Sequence, residues 1–163
     1  MKKIIAAVAL AAVAGVAAWF FLPGKTPAPQ VTFNLMNGQS VTTDDLRGKV
    51  TLVKFWATSC VTCVKQMPDN IDYYNTYHDK GFDMIAVAMR YDPPSYVENF
   101  IETRQLPFPV ALDKNGELAE AFGDIRLTPV AFLIDRQGNI VKRYLGEYDK
   151  KEFLATLEKA LAG

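Results

Sequence analysis

The chain contains little of the chemistry that metal centres and charged ligands require. Its 163 residues include two cysteines and one histidine, and its formal net charge is zero. A structural zinc site takes four ligands, so this set is too small for one. A chain without net charge also lacks the field that draws proteins to nucleic acid or to acidic surfaces. We therefore expect no metal, no other cofactor and no nucleic-acid partner.

Charged residues are also absent from a long stretch near the N-terminus. Lys2 and Lys3 precede an uninterrupted apolar run from Ile4 to Leu22, which approaches the roughly 20 residues needed to cross a bilayer. The two lysines favour a cytoplasmic N-terminus, so the rest of the chain would face the periplasm or the outside. Residues 1–23 are predicted to be an anchor in the cytoplasmic membrane. The alternative is a cleaved signal sequence, which leaves a soluble periplasmic protein.

The remainder is predicted to be a short spacer followed by one α/β domain. Residues 24–30 are proline-containing and are predicted to be an extended linker, and residues 31–163 suffice for one domain of ordinary size. Within that domain, hydrophobic periodicity predicts an N-terminal β-hairpin, a strand–helix–strand unit, a helix–strand insert from Pro93 to Leu112, a short helix, a second hairpin and a final amphipathic helix. This order predicts a mixed central sheet with helices on both faces.

The two cysteines form a Cys-x-x-Cys motif at the start of the long predicted helix, directly after the strand from Val50 to Trp56. Unpaired backbone N–H groups and the positive end of the helix dipole stabilise a thiolate at that position. One helical turn later, Cys63 lies within disulfide reach of Cys60. The arrangement favours thiol–disulfide exchange, in which Cys60 attacks a disulfide and Cys63 resolves the mixed disulfide.

Two other uses of the cysteine pair remain open. A purely structural disulfide is compatible with an oxidising compartment, although its small ring constrains the unfolded chain little. Copper could bind the two thiolates, although neither a nearby histidine nor a methionine-rich loop is evident. Redox exchange is favoured over both.

The residues around the pair resemble those of the thioredoxin-like family. The matching segments are Phe55 to Cys63, Pro68 within the long helix, and Leu127 to Asp135. The similarity runs from about Val31 to the C-terminus. It is greatest to the membrane-anchored TlpA/ResA-type thiol–disulfide oxidoreductases, because the first hairpin and the helix–strand insert mark that branch.

The resemblance implies a thioredoxin-like fold with a substrate-binding surface next to the cysteines. Thr128-Pro129 is expected to be a cis peptide packed against the pair, with the Thr128 backbone pairing with bound substrate. The residues alone would also allow a trans proline that starts a strand. Trp56 is expected beside the active-site loop and is assigned to the substrate-binding surface. The family also suggests a membrane electron donor, and we expect the protein to be a monomer.

The sequence departs from the family at three positions. Ser59 stands where the family usually has tryptophan, Gln66 where many TlpA/ResA-type proteins have glutamate, and Lys54 where thioredoxin has a buried aspartate. Lys54 and Gln66 are predicted to tune the redox pair. Lys54 could relay protons to Cys63 or stabilise its thiolate. The alternative is a long side chain that reaches solvent at the end of the sheet.

Together these features predict an enzyme that reduces disulfides in extracytoplasmic protein substrates, for example in cytochrome c maturation or in repair of oxidative damage. The uncharged Val61-Thr62 dipeptide between the cysteines favours a moderately reducing protein. A disulfide oxidase or isomerase, or a copper-binding carrier on the same fold, are the alternatives. The substrate, the electron donor and the direction of electron flow stay open.

Overall fold

The structure is a computed structural model that describes residues 25–163. The predicted membrane anchor at residues 1–23 lies outside the described residues. The strands are β1 (Thr26–Pro27), β2 (Thr32–Asn34), β3 (Ser40–Thr42), β4 (Val50–Trp56), β5 (Phe82–Ala88), β6 (Val110–Leu112), β7 (Val130–Ile134) and β8 (Asn139–Leu145). The α-helices are α1 (Val61–Tyr77), α2 (Pro94–Arg104), α3 (Glu117–Ala121) and α4 (Lys150–Ala162). Within this part of the chain, no helix combines the length and apolar character needed to cross a membrane.

Six of the strands form one mixed sheet, in the order β1-β8-β7-β4-β5-β6. Strand β4 lies in the middle, parallel to β5 and antiparallel to β7. The parallel pair is connected through α1, as a β–α–β unit requires, whereas β7 and β8 form a hairpin. Strands β2 and β3 form the predicted N-terminal hairpin as a separate two-stranded sheet. The predicted α/β fold with a mixed central sheet is confirmed.

Side chains of β4 alternate between two cores, one on each face of the sheet. Leu52 and Trp56 belong to the core that α1, α2 and α4 cover. Val53 and Phe55 belong to the core that α3 and the β2–β3 hairpin cover. Because both faces are covered, every residue of β4 is buried. Helices therefore lie on both faces, as predicted, although most of them cover one.

The segment that the sequence predicts to be a linker, residues 24–30, is largely part of the folded domain. Thr26–Pro27 pairs antiparallel with the start of β8 at the edge of the sheet. The Ala28 N–H donates a hydrogen bond of 2.9 Å to the Gly138 carbonyl, and Ala28 is buried. Proline is tolerated at a sheet edge because its missing N–H is not needed there. The prediction of a free spacer is therefore wrong for these residues.

An ion pair fastens the first described residue to the same edge. The Lys25 ammonium lies 2.8 Å from a carboxylate oxygen of Asp135, which follows β7 and is largely buried. The Asp135 carboxylate also accepts hydrogen bonds from the backbone of the β7–β8 turn. Desolvation raises the pKa of Asp135. Lys25 and these backbone hydrogen bonds together lower it by a larger amount, so the net shift is downward. Residues 25–28 thus belong to the folded domain rather than to a spacer before it.

We expect a chain that begins at Val31 to be less stable than one that begins at Lys25. It would lose the β1 pairing, the burial of Ala28 and the Lys25–Asp135 ion pair, together worth roughly 1–3 kcal/mol. That loss corresponds to a lower melting temperature by about 3–10 °C. Thermal unfolding followed by circular dichroism, with the disulfide intact, measures the difference. Equal melting temperatures would mean that the segment before Val31 contributes nothing measurable to the stability of the domain.

Candidate active site

The cysteine pair lies where the central strand ends and the longest helix begins. Cys60 is the N-cap of α1, and the Cys63 N–H points at the Cys60 sulfur at 3.2 Å. The two sulfurs form a disulfide, with the Cα atoms 5.2 Å apart. An N–H group directed at the sulfur stabilises the thiolate that forms on reduction. The predicted position of the pair at a strand-to-helix junction is therefore confirmed.

The two sulfurs differ in exposure. Cys60 is half-buried, whereas Cys63 is completely buried and belongs to the core beneath α1. Only a sulfur that an incoming disulfide can reach is able to start an exchange. The geometry thus fits Cys60 as the attacking residue and Cys63 as the resolving residue.

A buried carboxylate that the sequence analysis missed holds the loop before the first cysteine. Asp92 is 3% exposed and accepts two hydrogen bonds from Thr58, one from its N–H at 2.6 Å and one from its hydroxyl at 2.5 Å. Because Thr58 lies two residues before Cys60, these bonds hold the loop that leads into the N-cap of α1. Asp92 precedes two prolines and has the sequence signature of an ordinary turn residue, so no local signal marks it.

The Thr128-Pro129 peptide is cis, as the family resemblance implies. It immediately precedes β7, and Val130 of β7 pairs with Phe55 near the end of β4. The peptide therefore lies at the same end of the sheet as the Cys60 loop. The Pro129 carbonyl accepts a hydrogen bond of 2.8 Å from the Gly146 N–H. This bond ties the residue before β7 to the residue after β8. Thr128 is half-buried and accessible from solvent.

Trp56 does not lie on the substrate-binding surface to which it was assigned. It is 0% exposed, and its ring packs against Phe100 of α2 with the centroids 5.0 Å apart. The helix–strand insert covers the indole, and no sequence pattern near Trp56 predicts that contact. Trp56 thus supports the active-site loop from below.

A cleft opens beside the cysteines where the family usually has a tryptophan. It has a volume of about 630 Å³ and lies between the active-site loop and α2. Its walls are Thr58, Ser59, Ser95, Tyr96, Asn99 and Phe100. The small Ser59 side chain leaves this space free next to Cys60.

Exposed apolar side chains surround this end of the molecule, and we call them the apolar rim. Val61 follows Cys60, Leu127 precedes Thr128, and Leu145 pairs with Val130. Two tyrosines complete the rim: the Tyr91 hydroxyl lies 3.4 Å from that of Thr128, and Tyr96 lines the cleft. Val61 is 82% exposed, Leu127 71% and Leu145 64%. Exposed apolar residues that cluster around one site mark an interaction surface.

Lys54 is fully buried, so the alternative in which its side chain reaches solvent is wrong. Its side-chain nitrogen donates a hydrogen bond of 2.8 Å to the side-chain amide oxygen of Gln66, Oε1. Gln66 is also buried and follows Cys63 by three residues on the same helix. Residues three apart on a helix are neighbours on one face. Lys54 and Gln66 therefore form a buried polar pair on the helix face that also carries the resolving cysteine.

Desolvation disfavours the charged form of Lys54, although its nitrogen lies 5.3 Å from the centre of the Tyr148 ring, a contact that favours a cation. The Tyr148 hydroxyl donates to buried Asn70 at 3.1 Å. Desolvation lowers the pKa of Lys54 to about 7, and the negative charge of Asp69 opposes that shift only in part. Burial also raises the pKa of Tyr148, so its phenol stays protonated. Lys54 can thus lose or gain its proton near neutral pH.

In residues 25–163, no cluster of three or more histidine, cysteine, aspartate or glutamate side chains is arranged to hold a metal ion. The single histidine, His78, is exposed at the far end of α1 and stacks on Tyr74.

A cysteine pair at the start of this helix, with a cis-proline at the same end of the sheet, defines the class of thiol–disulfide oxidoreductases with a thioredoxin-like fold. The protein is an enzyme of that class. The Redoxin family model matches residues 23–161, and the chain belongs to that family. Its resemblance to TlpA/ResA-type proteins is confirmed by the relatives and by the structural neighbours that follow.

The thiol–disulfide oxidoreductase ResA of Bacillus thuringiensis subsp. konkukian is 35% identical over 132 residues, which cover 81% of this chain and 75% of that protein. ResA of Bacillus subtilis strain 168 is 31% identical over 119 residues, or 73% of this chain and 65% of that protein. A thiol:disulfide interchange protein of Chlorobium tepidum TLS superposes with a TM-score of 0.78 at 29% identity, covering 86% and 99% of the two chains.

The burial of Lys54 predicts a pH-dependent stability. Its pKa is about 7 in the folded protein and about 10.4 in an unfolded chain. Between these values the unfolded state binds the extra proton, so the free energy of unfolding should rise with pH, by at most about 1.4 kcal/mol per pH unit. Below pH 7 both states hold the proton and the effect is constant.

Denaturant unfolding between pH 7 and 9.5 measures this slope. That range stays below the titration of the buried tyrosines, whose raised pKa values act in the opposite direction. Lys54→Met should abolish the rise, whereas Lys65→Met, at an exposed position on α1, should keep it. An unchanged slope in Lys54→Met would contradict a neutral buried amine.

Proposed function

We propose that the protein reduces disulfides of extracytoplasmic protein substrates through Cys60 and Cys63. The observation that carries the proposal is the pairing of one accessible sulfur at a helix N-terminus with one fully buried sulfur. A purely structural disulfide needs no such difference in access. The relatives named thiol–disulfide oxidoreductase support the same chemistry.

The reaction starts from the reduced enzyme. The Cys60 thiolate attacks one sulfur of the substrate disulfide, and the other substrate sulfur leaves as a thiolate and takes up a proton. Cys63 then loses its proton and attacks the Cys60 sulfur, so the second substrate sulfur leaves in the same way. Two electrons pass to the substrate, and the enzyme ends with the Cys60–Cys63 disulfide. A membrane electron donor would return it to the dithiol state.

The surface around the pair fits a protein substrate better than a small thiol. The apolar rim offers contact area on several sides of Cys60, and the cleft beside Ser59 has room for a substrate side chain. Thr128 is half-buried at the same end of the sheet, and its backbone is available to pair with an extended substrate strand. Partly unfolded proteins present apolar side chains next to their disulfides, which suits such a surface.

The proposed location is the outer face of the cytoplasmic membrane, with the apolar run from Ile4 to Leu22 as the anchor. Lys25 is fastened to Asp135 at the end of β7 that is opposite Pro129. An anchor would therefore hold the domain close to the bilayer and point the cysteines away from it, roughly 20 Å further out. This orientation favours soluble or membrane-extrinsic substrates. Cleavage after the apolar run would instead release a periplasmic enzyme.

The competing function is disulfide oxidation. A cation beneath the pair stabilises the thiolate, hence the reduced form, and makes the protein a stronger oxidant. The position of Lys54 favours this alternative only to the extent that its amine is protonated. The uncharged Val61-Thr62 dipeptide gives no further stabilisation of the Cys60 thiolate.

Cys63→Ser should trap the substrate. Because the serine cannot resolve the mixed disulfide, Cys60 is expected to stay covalently bound to its partner. The measurement is a non-reducing gel of membrane and periplasmic fractions, with trapped proteins identified after reduction. Cys60→Ser is the matched control and should trap much less, because Cys63 is buried. A Cys63→Ser variant with no trapped protein in either fraction would contradict the proposal.

A further inference from the structure

The reaction described above leaves one buried group without a role. Lys54 lies on β4, two residues before Trp56, and its side chain enters the core beneath α1 rather than the surface. Cys63 and Gln66 face the same core from the first two turns of that helix. The amine is therefore linked, through Gln66, to the helix face that carries the sulfur that must lose a proton during the exchange.

The groups packed around the amine provide no buried counter-ion. From α1 it meets the Gln66 amide, with Cys63 and Asn70 on the same helix face, and from the loop before α4 it meets the Tyr148 ring. On the neighbouring strands its partners in register are Ala86 and Ala131.

The nearest charge that acts on Lys54 is that of Asp69. Asp69 is partly exposed and forms an ion pair of 2.8 Å with Lys150. Its charge is thus shared with a surface lysine and screened by solvent. In the oxidised protein the neutral amine is the favoured form above about pH 7, and a neutral amine is a base.

We propose that Lys54 is a general base that accepts the proton of the Cys63 thiol when this cysteine resolves the mixed disulfide. The inference rests on the proposed exchange reaction and assigns one proton transfer within it. Gln66 orients the amine through its carbonyl oxygen without adding a negative charge that would keep the amine protonated. The thiolate formed at Cys63 becomes the counter-ion that Lys54 lacks in the disulfide form.

The step balances as follows. The Cys63 S–H bond breaks, and its proton forms a new N–H bond on Lys54. The Cys63 thiolate attacks the Cys60 sulfur, the Cys60–Cys63 bond forms, and the bond from Cys60 to the outside sulfur breaks. That sulfur leaves with the electron pair and takes a proton from solvent. Once the thiolate has been consumed, Lys54 again lacks a counter-ion and releases its proton.

The test separates the two halves of the exchange with one chromogenic disulfide, 5,5′-dithiobis(2-nitrobenzoate). The reduced full-length protein in detergent should release one thionitrobenzoate when Cys60 attacks, and a second when Cys63 resolves the adduct. Stopped-flow absorbance between pH 6 and 9 gives both rates. The first phase tests the exchange activity itself, and the second tests the role of Lys54.

Two variants distinguish a base from a structural contact. Lys54→Met removes the amine and should slow the second phase by about 100-fold at pH 7.5, the usual scale of general base catalysis. Gln66→Glu keeps the pair but gives the amine a counter-ion, so the amine stays protonated and the second phase should also slow, with its inflexion moved to higher pH. The first phase should change less than about threefold in both, and a circular dichroism spectrum that matches wild type shows that the variants are folded.

Lys65→Met is the matched control, because it removes a lysine from the exposed face of α1 and leaves the core beneath that helix intact. It should keep both rates within about twofold of wild type. A second phase within about twofold of wild type in Lys54→Met would overturn the inference while leaving the exchange function intact. The loss of the first phase in the wild type would instead contradict the proposed function.

Discussion

The site depends on one local constraint, the abrupt change from strand β4 to helix α1 within a few residues. The Trp56 carbonyl is held by the Met89 N–H at 3.0 Å, and Thr58 is held by Asp92. These contacts fix the direction of the backbone that leads into Cys60, where helix α1 begins. The first sulfur is therefore the cap of the helix and partly accessible, and the second is turned into the core. The difference between an attacking and a resolving cysteine follows from this geometry.

Unlike the contacts that hold this turn, the buried Lys54 lowers the free energy of unfolding. Taking an amine out of water without a counter-ion destabilises the folded state, and an apolar residue of similar size would be more favourable there. Groups with strongly shifted pKa values that lie next to reactive residues are often functional. Lys54 meets both conditions, because its amine and the sulfur of Cys63 share one core beneath α1. The position thus lowers the stability of the fold next to the reactive pair.

Sequence patterns predicted the elements that local chemistry controls. The N-terminal hairpin, the strand from Val50 to Trp56, the helix after Cys60 and the final amphipathic helix all have signals within a few residues of themselves. Features that depend on distant contacts were missed or wrong. Strand β1 has the composition of a spacer and is ordered only by β8, and the exposure of Trp56 is decided by Phe100 from the insert. The burial of Lys54 likewise depends on α1 and Tyr148, which no pattern on β4 reveals.

The direction of electron flow is the most direct test of the account, and the reduction potential of the Cys60–Cys63 pair measures it. Equilibration with dithiothreitol or glutathione redox buffers at pH 7, followed by thiol alkylation, should give a single two-electron transition. We expect a reducing value, nearer to the roughly −270 mV of thioredoxin than to the roughly −120 mV of a strong oxidant. A value near −120 mV would contradict a reductase and favour disulfide oxidation. A disulfide that no buffer reduces in the folded protein would contradict exchange altogether.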